Sequence, residues 1–266
     1  MRVWRRAARS ESRAVMIDST PNQQTIGDGH VAQDLHVVTG ATSGIGKAIA
    51  GTIAARSRAV MAIGRNKKAL EALEARFAGH VSGRVIDLSD DAAIKDMTSD
   101  LDRAHTRLRA LVHCAGVHFP APLASTRVEE LDAMYRSNVR APFLLTQRLL
   151  PALERGQGYL IFINSSAGLT ARAGVGGYSA MQHAHRALAE CWRQELNERG
   201  IRVLNIFPGR TNTPRIERLF AREGRSFAPA LLLQPEDIAT LVDLAIGLPP
   251  TVELTDVSLR PAKKSY

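Results

Sequence analysis

Cysteine is scarce in this chain, with only Cys114 and Cys191 among 266 residues. Two thiols make neither a disulfide framework nor a four-ligand zinc site, which suits a reducing, cytoplasmic setting. The eight histidines show no HExxH or comparable ligand spacing, so no metal is expected. No apolar run approaches the roughly 18 residues needed to cross a bilayer, and no membrane partner is expected. Acidic residues are nearly missing from the first sixteen positions, where Arg2, Arg5, Arg6, Arg9 and Arg13 face only Glu11. That stretch accounts for much of the formal charge of +9, since the remainder carries 30 basic and 25 acidic residues. It also lacks an apolar h-region and so does not read as a secretory signal, although Arg-rich, acid-poor composition is shared with organellar presequences. A basic leader can touch anionic surfaces. A disordered leader over residues 1–33, or an upstream start codon with Met16 as the real one, accounts for the charge more simply. Nucleic-acid binding through it would require a steep loss of affinity with salt, and no nucleic-acid partner is expected.

What is present is an alternation. Short apolar runs at 35–38, 59–63, 84–88, 108–113, 159–164, 203–207 and 252–259 read as strands, several continuous enough to be buried on both faces. Between them lie segments of helical spacing such as 45–56, 69–78, 131–149 and 178–199. Strand–helix alternation implies a parallel sheet covered on both sides. The expectation is an α/β, Rossmann-type doubly wound fold with a seven-stranded, mainly parallel sheet. No break in composition divides it, so residues 34–266 form a single domain.

The first strand runs into Thr39-Gly40-Ala41-Thr42-Ser43-Gly44-Ile45-Gly46, and a helix follows. Glycines there allow a sharp turn and a close approach to a pyrophosphate. The helix start then offers free N–H groups to that anion. The spacing is GxxxGxG, not the commoner GxGxxG. About 20 residues beyond such a turn, an acidic residue would bind the ribose 2′-hydroxyl of NAD. Here the second strand ends in Gly64-Arg65-Asn66, with no carboxylate. Arg65 suits a 2′-phosphate, so NADP(H) is the preferred cofactor and NAD(H) the alternative.

With these residues in place the chain resembles the short-chain dehydrogenase/reductase family from about Leu35 to Pro261. Thr39 to Gly46 matches that family's TGxxxGxG turn, and Asp87-Leu88 its adenine-contacting pair. His113-Cys114-Ala115-Gly116 stands where NNAG is common, keeping Ala115 and Gly116 and losing both asparagines. Asn138 matches the helix asparagine of the catalytic tetrad. Ser165, thirteen residues before Tyr178, matches the catalytic serine, with Ser166 the adjacent alternative. Pro208-Gly209 and Thr213 match the loop that holds the nicotinamide amide. The departure is at YxxxK, which reads Tyr178-Ser179-Ala180-Met181-Gln182 here.

The resemblance implies an oxidoreductase interconverting a carbonyl and an alcohol, with Tyr178 exchanging the proton, Ser165 holding the substrate oxygen and Asn138 supporting the helix behind it. It also implies a homodimer or homotetramer. A free phenol titrates near pH 10, and a cation one helical turn away typically lowers such a pKa by roughly 1–3 units. Gln182 keeps the position, since four residues advance a helix by about 400°, but carries no charge. The enzyme is therefore expected to be slowed, and the contrasting expectation is an NADP(H)-binding sensor or scaffold without turnover. His183 and His185 are expected to be helix-surface or interface residues. Arg215, Arg218, Arg222 and Arg225 are expected to form a solvated helix face. Cys114 is expected to be a small buried filler.

Overall fold

The computed structural model describes residues 34–263; the basic leader of residues 1–33 lies outside them. Seven strands form one sheet: β1 Asp34–Thr39, β2 Val60–Gly64, β3 Val81–Val85, β4 Arg107–His113, β5 Tyr159–Ile163, β6 Arg202–Pro208 and β7 Asp256–Leu259. Their order is β3-β2-β1-β4-β5-β6-β7, and every pairing is parallel, where a mainly parallel sheet was expected.

The helices are α1 Gly44–Ala54, α2 Lys67–Arg76, α3 Asp91–Arg103, α4 Val128–Tyr135, α5 Ala141–Gly156, α6 Gly176–Leu196, α7 Pro214–Arg222 and α8 Pro235–Gly247. Ile49 and Ile53 of α1, Leu70 and Leu73 of α2, and Ile238 and Val242 of α8 pack on one face of the sheet. Ile94 and Met97 of α3, Leu145 and Leu149 of α5, and Ala189 and Leu196 of α6 cover the other. The central strands are thus apolar on both sides, which explains their unbroken hydrophobic runs. Because the chain reverses direction across the sheet between β1 and β4, a crevice opens at their carboxyl ends, the usual ligand position in such sheets.

Three local expectations are corrected. β3 lies at Val81–Val85, not 84–88. It is an edge strand with no fully buried residue, and the apolar signal came from Ile86, which follows it and packs into the core. β7 shortens to Asp256–Leu259, with residues 252–255 in the approach to the strand. There the carbonyl of Val252 accepts a hydrogen bond from the Tyr159 hydroxyl at 3.2 Å. The single helix expected over 131–149 is interrupted by a π-helical turn, Arg136–Arg140, centred on Asn138.

Candidate active site

The glycine turn owes its shape to two positions. Gly40 adopts φ +68°, and a Cβ there would come within 2.9 Å of the Ala115 backbone. A Cβ on Gly46 would strike the carbonyl of Gly40. Thr39 ties the turn to the next strand end: its buried hydroxyl donates to the carbonyl of Val112 at 3.2 Å and accepts from the amides of Cys114 and Ala115 at 3.0 and 3.1 Å. The N-cap of α1, Ser43, makes no side-chain capping bond, and no acidic side chain lies in the first turn. The amides at that helix start therefore remain available to an anion. These features fit a dinucleotide pyrophosphate. Arg65 lies at the rim, its side chain 71% exposed and 3.8 Å from the Asp87 carboxylate. Two hydrogen bonds from Ser89, then the charge of Arg65, hold that carboxyl below its usual range.

One cavity of about 1210 Å³ runs from this turn along the carboxyl ends of the strands. Gly40, Thr42, Ser43, Gly44, Ile45, Gly46, Arg65, Asp87 and Leu88 line one end. Ala115, Gly116, Asn138, Ser165, Tyr178, Gln182, Pro208, Gly209 and Thr213 line the rest. Every site residue expected from sequence is thus brought to a single hollow, although they span 174 positions of chain from Gly40 to Thr213.

Asn138 is buried and brackets the loop after β4. Its Oδ1 accepts from the Val117 amide at 2.8 Å, and its Nδ2 donates to the Val117 carbonyl at 2.9 Å. These two hydrogen bonds hold the helix against the loop at the π-helical turn, a kind of helix defect often found at functional sites. Ser165 begins the segment after β5, its Oγ accepting from the Ala167 amide at 3.2 Å. The same side chain faces the hollow that Tyr178 lines and helps oppose the rise of its phenol, whereas Ser166 opens a short 3₁₀ turn. Burial raises the Tyr178 phenol above its ordinary value, opposed by the charge of Arg215 and by hydrogen bonds from Ser165 and Arg215.

Gln182 is buried and held internally. Its Nε2 donates to Asn164 Oδ1 at 2.9 Å, while Asn164 Nδ2 donates to the Gln182 carbonyl at 3.1 Å. Asn164 Oδ1 also accepts from the Ser165 amide at 2.8 Å, so Gln182 is linked through Asn164 to the segment carrying Ser165.

Other residues stand differently from expectation. His183 is exposed on α6, as expected, with Nδ1 2.8 Å from the Ser179 carbonyl. His185 is buried instead, 3% exposed, and lines the cavity. Its ring nitrogens make no hydrogen bond of ordinary geometry. Burial lowers its pKa to about 4, with the Asn138 backbone offsetting part of the effect. Helical spacing places it one turn beyond Gln182 on the face that turns inward, which distance from Tyr178 alone did not reveal. His118, unremarked in the sequence, packs edge-on against Tyr178 with ring centroids 4.4 Å apart. Burial, then Arg215 and Arg222, lower its pKa to about 4. Arg215 is exposed, as expected of that face, but its guanidinium also donates to the carbonyl of Gly116. Burial pushes the Cys114 thiol up to about 12, the behaviour of a filler and not of a reactive thiolate. Among the described residues no helix is long and apolar enough to cross a membrane.

Comparison with known proteins agrees with this geometry. Residues 35–224 match the family model for short chain dehydrogenase. An uncharacterised short-chain type dehydrogenase/reductase of Sinorhizobium fredii is 34% identical over 233 residues, covering 86% of this chain and 91% of that protein. An NADP-dependent 3-hydroxy acid dehydrogenase of Salmonella typhi is 30% identical over 239 residues, covering 86% and 96%. Among solved structures, the closed form of serine dehydrogenase complexed with NADP⁺ superposes with a TM-score of 0.79 at 26% identity, covering 87% and 96%. The chain belongs to the short-chain dehydrogenase family and is an oxidoreductase acting on CH–OH groups.

Proposed function

We propose that the protein is an NADP(H)-dependent oxidoreductase that interconverts a carbonyl and an alcohol at the Ser165–Tyr178 end of the cavity. The observation that carries this reading is the meeting of the Ser165 and Tyr178 side chains in the same hollow as the Gly40–Gly46 turn. Bound nicotinamide supplies or accepts the hydride. The rest falls to the chain. Ser165 donates to the substrate oxygen and orients it, and in reduction Tyr178 gives that oxygen its proton. Burial favours the neutral phenol at neutral pH, so Tyr178 is already in the donating form for reduction. Oxidation needs the phenolate and meets the full resistance of burial, which makes reduction the easier direction. Asn138 fixes the helix turn behind these groups, and Gln182, held by Asn164, stands toward the ribose.

Arg65 supports NADP(H) over NAD(H), because its guanidinium at the rim pairs with a 2′-phosphate and no carboxylate from the end of β2 opposes it. The named relatives direct the first substrates to 3-hydroxy acids and the corresponding carbonyl acids. A homo-oligomer is part of the same reading. Phe143 on α5 is 44% exposed and packs on Trp192 of α6 at 5.5 Å, an aromatic pair suited to burial against a second copy. The test is NADPH oxidation against a broad carbonyl panel, with Tyr178→Phe as control. Turnover lost in the variant supports the assignment; equal turnover in both proteins removes Tyr178 from the chemistry. NADPH binding with no turnover of any substrate would return the protein to the sensor reading.

A further inference from the structure

A buried phenol ionises readily only beside a positive charge, and α6 itself offers none: the residue one turn beyond Tyr178 is the neutral Gln182, tied to Asn164. The groups facing Tyr178 come from four other places in the fold. Cys114 ends the β4 side, with its thiol pushed up to about 12 and therefore neutral. His118 in the following loop is lowered to about 4 and is neutral at pH 7. Ser165, after β5, does not titrate in this range. Arg215, from α7, donates to the carbonyl of Gly116 in the loop that carries His118, lines the same hollow as Tyr178, and is the charged group that opposes the rise of its phenol. Further out, the cavity wall carries Glu129, Asp132 and Arg136 around α4, Arg172 before α6, and Arg218, Arg222 and Glu223 at α7.

Arg215 is held in place by several constraints. It is the second residue of α7, which Thr213 caps by accepting from the Ile216 amide at 3.3 Å and Pro214 opens with a preset φ. Its own guanidinium donates to the Gly116 carbonyl, beside the Asn138 side chain. Thr213 also abuts the glycine turn, since a Cβ on Gly44 would lie 2.9 Å from Thr213 Cγ2. The start of α7 is thus seated against both the cofactor turn and the loop after β4.

We propose that Arg215 is the catalytic cation of this site: its guanidinium, reaching across from α7, stabilises the Tyr178 phenolate that α6 leaves without a positive neighbour. The proposal rests on the reading of Tyr178 as the proton-exchanging group. In oxidation, the alcohol O–H bond breaks and its proton passes to the phenolate oxygen as the C–H hydride leaves for the oxidised cofactor. In reduction the phenol O–H bond breaks, its proton goes to the carbonyl oxygen, and Arg215 balances the charge left behind.

The test uses the full chain with Arg215→Gln and Arg215→Lys, each checked for an unchanged melting temperature. Tyrosinate absorbance across pH, with the matching Tyr178→Phe protein subtracted, reads the ionisation of Tyr178 without any substrate. Arg215→Gln is expected to move that ionisation up by about a unit or more, and Arg215→Lys to keep part of the effect. Adding Gln182→Lys to Arg215→Gln should bring it back down. In turnover, the acid-side rising limb of kcat for alcohol oxidation should shift to higher pH as well, with kcat near pH 7 reduced by roughly tenfold or more. An unshifted Tyr178 titration in Arg215→Gln overturns the proposal. So does a rise in KM for acidic substrates alone with kcat and its pH profile unchanged, which would make Arg215 a substrate clamp. If no substrate is found, the titration still decides the role of Arg215, and the failure then belongs to the proposed reaction.

Discussion

Gln182 and Asn164 exchange two hydrogen bonds, Nε2 to Oδ1 at 2.9 Å and Nδ2 to backbone carbonyl at 3.1 Å, so that an uncharged pair occupies the position one turn from Tyr178. Both residues are buried. The pair is uncharged and lends the phenol no cation.

Replacing Gln182 with Lys should therefore restore a cation on α6 while still donating to Asn164. Turnover is expected to rise by roughly tenfold or more, most strongly in the oxidising direction, where the phenolate is required. Steady-state kinetics of both proteins over a common pH series measures it. High natural turnover that falls in Gln182→Lys would show that the glutamine is the better partner for this site.

Arg65→Ala should weaken NADPH binding while leaving NADH nearly unchanged. A single charge-assisted contact to phosphate at an exposed rim contributes about 1.5–3 kcal/mol at most, so a loss of roughly tenfold or more in affinity is expected. Cofactor fluorescence titration reads both. Equal affinity of the natural protein for the two cofactors would refute the 2′-phosphate role.

Thr39 is a structural hinge of the site, and Thr39→Val removes one buried donor and one shared acceptor at nearly constant volume. The Cys114 and Ala115 amides lose their partner. A destabilisation of about 1–3 kcal/mol is expected, together with weaker cofactor binding, because the same amides shape the turn facing Gly40. Thermal melting with and without NADPH separates the two effects. A melting curve unchanged from the natural protein would show that water replaces the hydroxyl at no cost.

Acid should unfold the domain through its buried histidines. Burial lowers His36 to about 4, His113 to about 3 and His185 to about 4, against 6.5 for the free side chain. Above pH 6.5 both folded and unfolded forms are neutral at these sites and stability is unaffected. As pH falls below 6.5 the unfolded chain binds protons that the native one refuses, so stability declines until about pH 4 to 3. Each histidine contributes a slope approaching about 1.4 kcal/mol per pH unit inside that window. Urea midpoints between pH 7 and pH 4 should fall, and His185→Gln should flatten the slope; an unchanged slope would place His185 in contact with water.

A chain begun at Gly29 should melt within a few degrees of the full one. β1 pairs with β2 and β4 alone, and all its registers lie within residues 34–112. A large loss of stability would mean that the preceding residues pack on the domain.

Much of this architecture is written in short-range pattern. Runs such as Leu108–His113 and Tyr159–Ile163 read as strands because they are apolar on both faces, and the glycine spacing from Gly40 to Gly46 follows from a turn that admits no Cβ. Tyr178 and Gln182 share a face because helical geometry requires it. Where packing fell on one residue outside the pattern, as with Ile86 after an exposed edge strand, the boundary moved by three residues. The π-helical turn at Asn138 has no periodic signal of its own, since it arises from a side chain bonding a loop 21 residues away. His185 and Arg215 are the sharper cases. A histidine on an amphipathic helix shows no sign of which neighbour covers it, and four arginines after Thr213 look like a solvated face whichever way the helix is set. Arg215 reaches Gly116 across 99 residues of sequence. Contacts at that separation depend on how whole elements stack, and the free energy that selects the stacking is the burial of the sheet's two faces, to which Arg215 itself contributes almost nothing. Local periodicity therefore determined the strands, the cofactor turn and the residues along α6, while the charge that completes the site was set by where packing of the core left the end of α7.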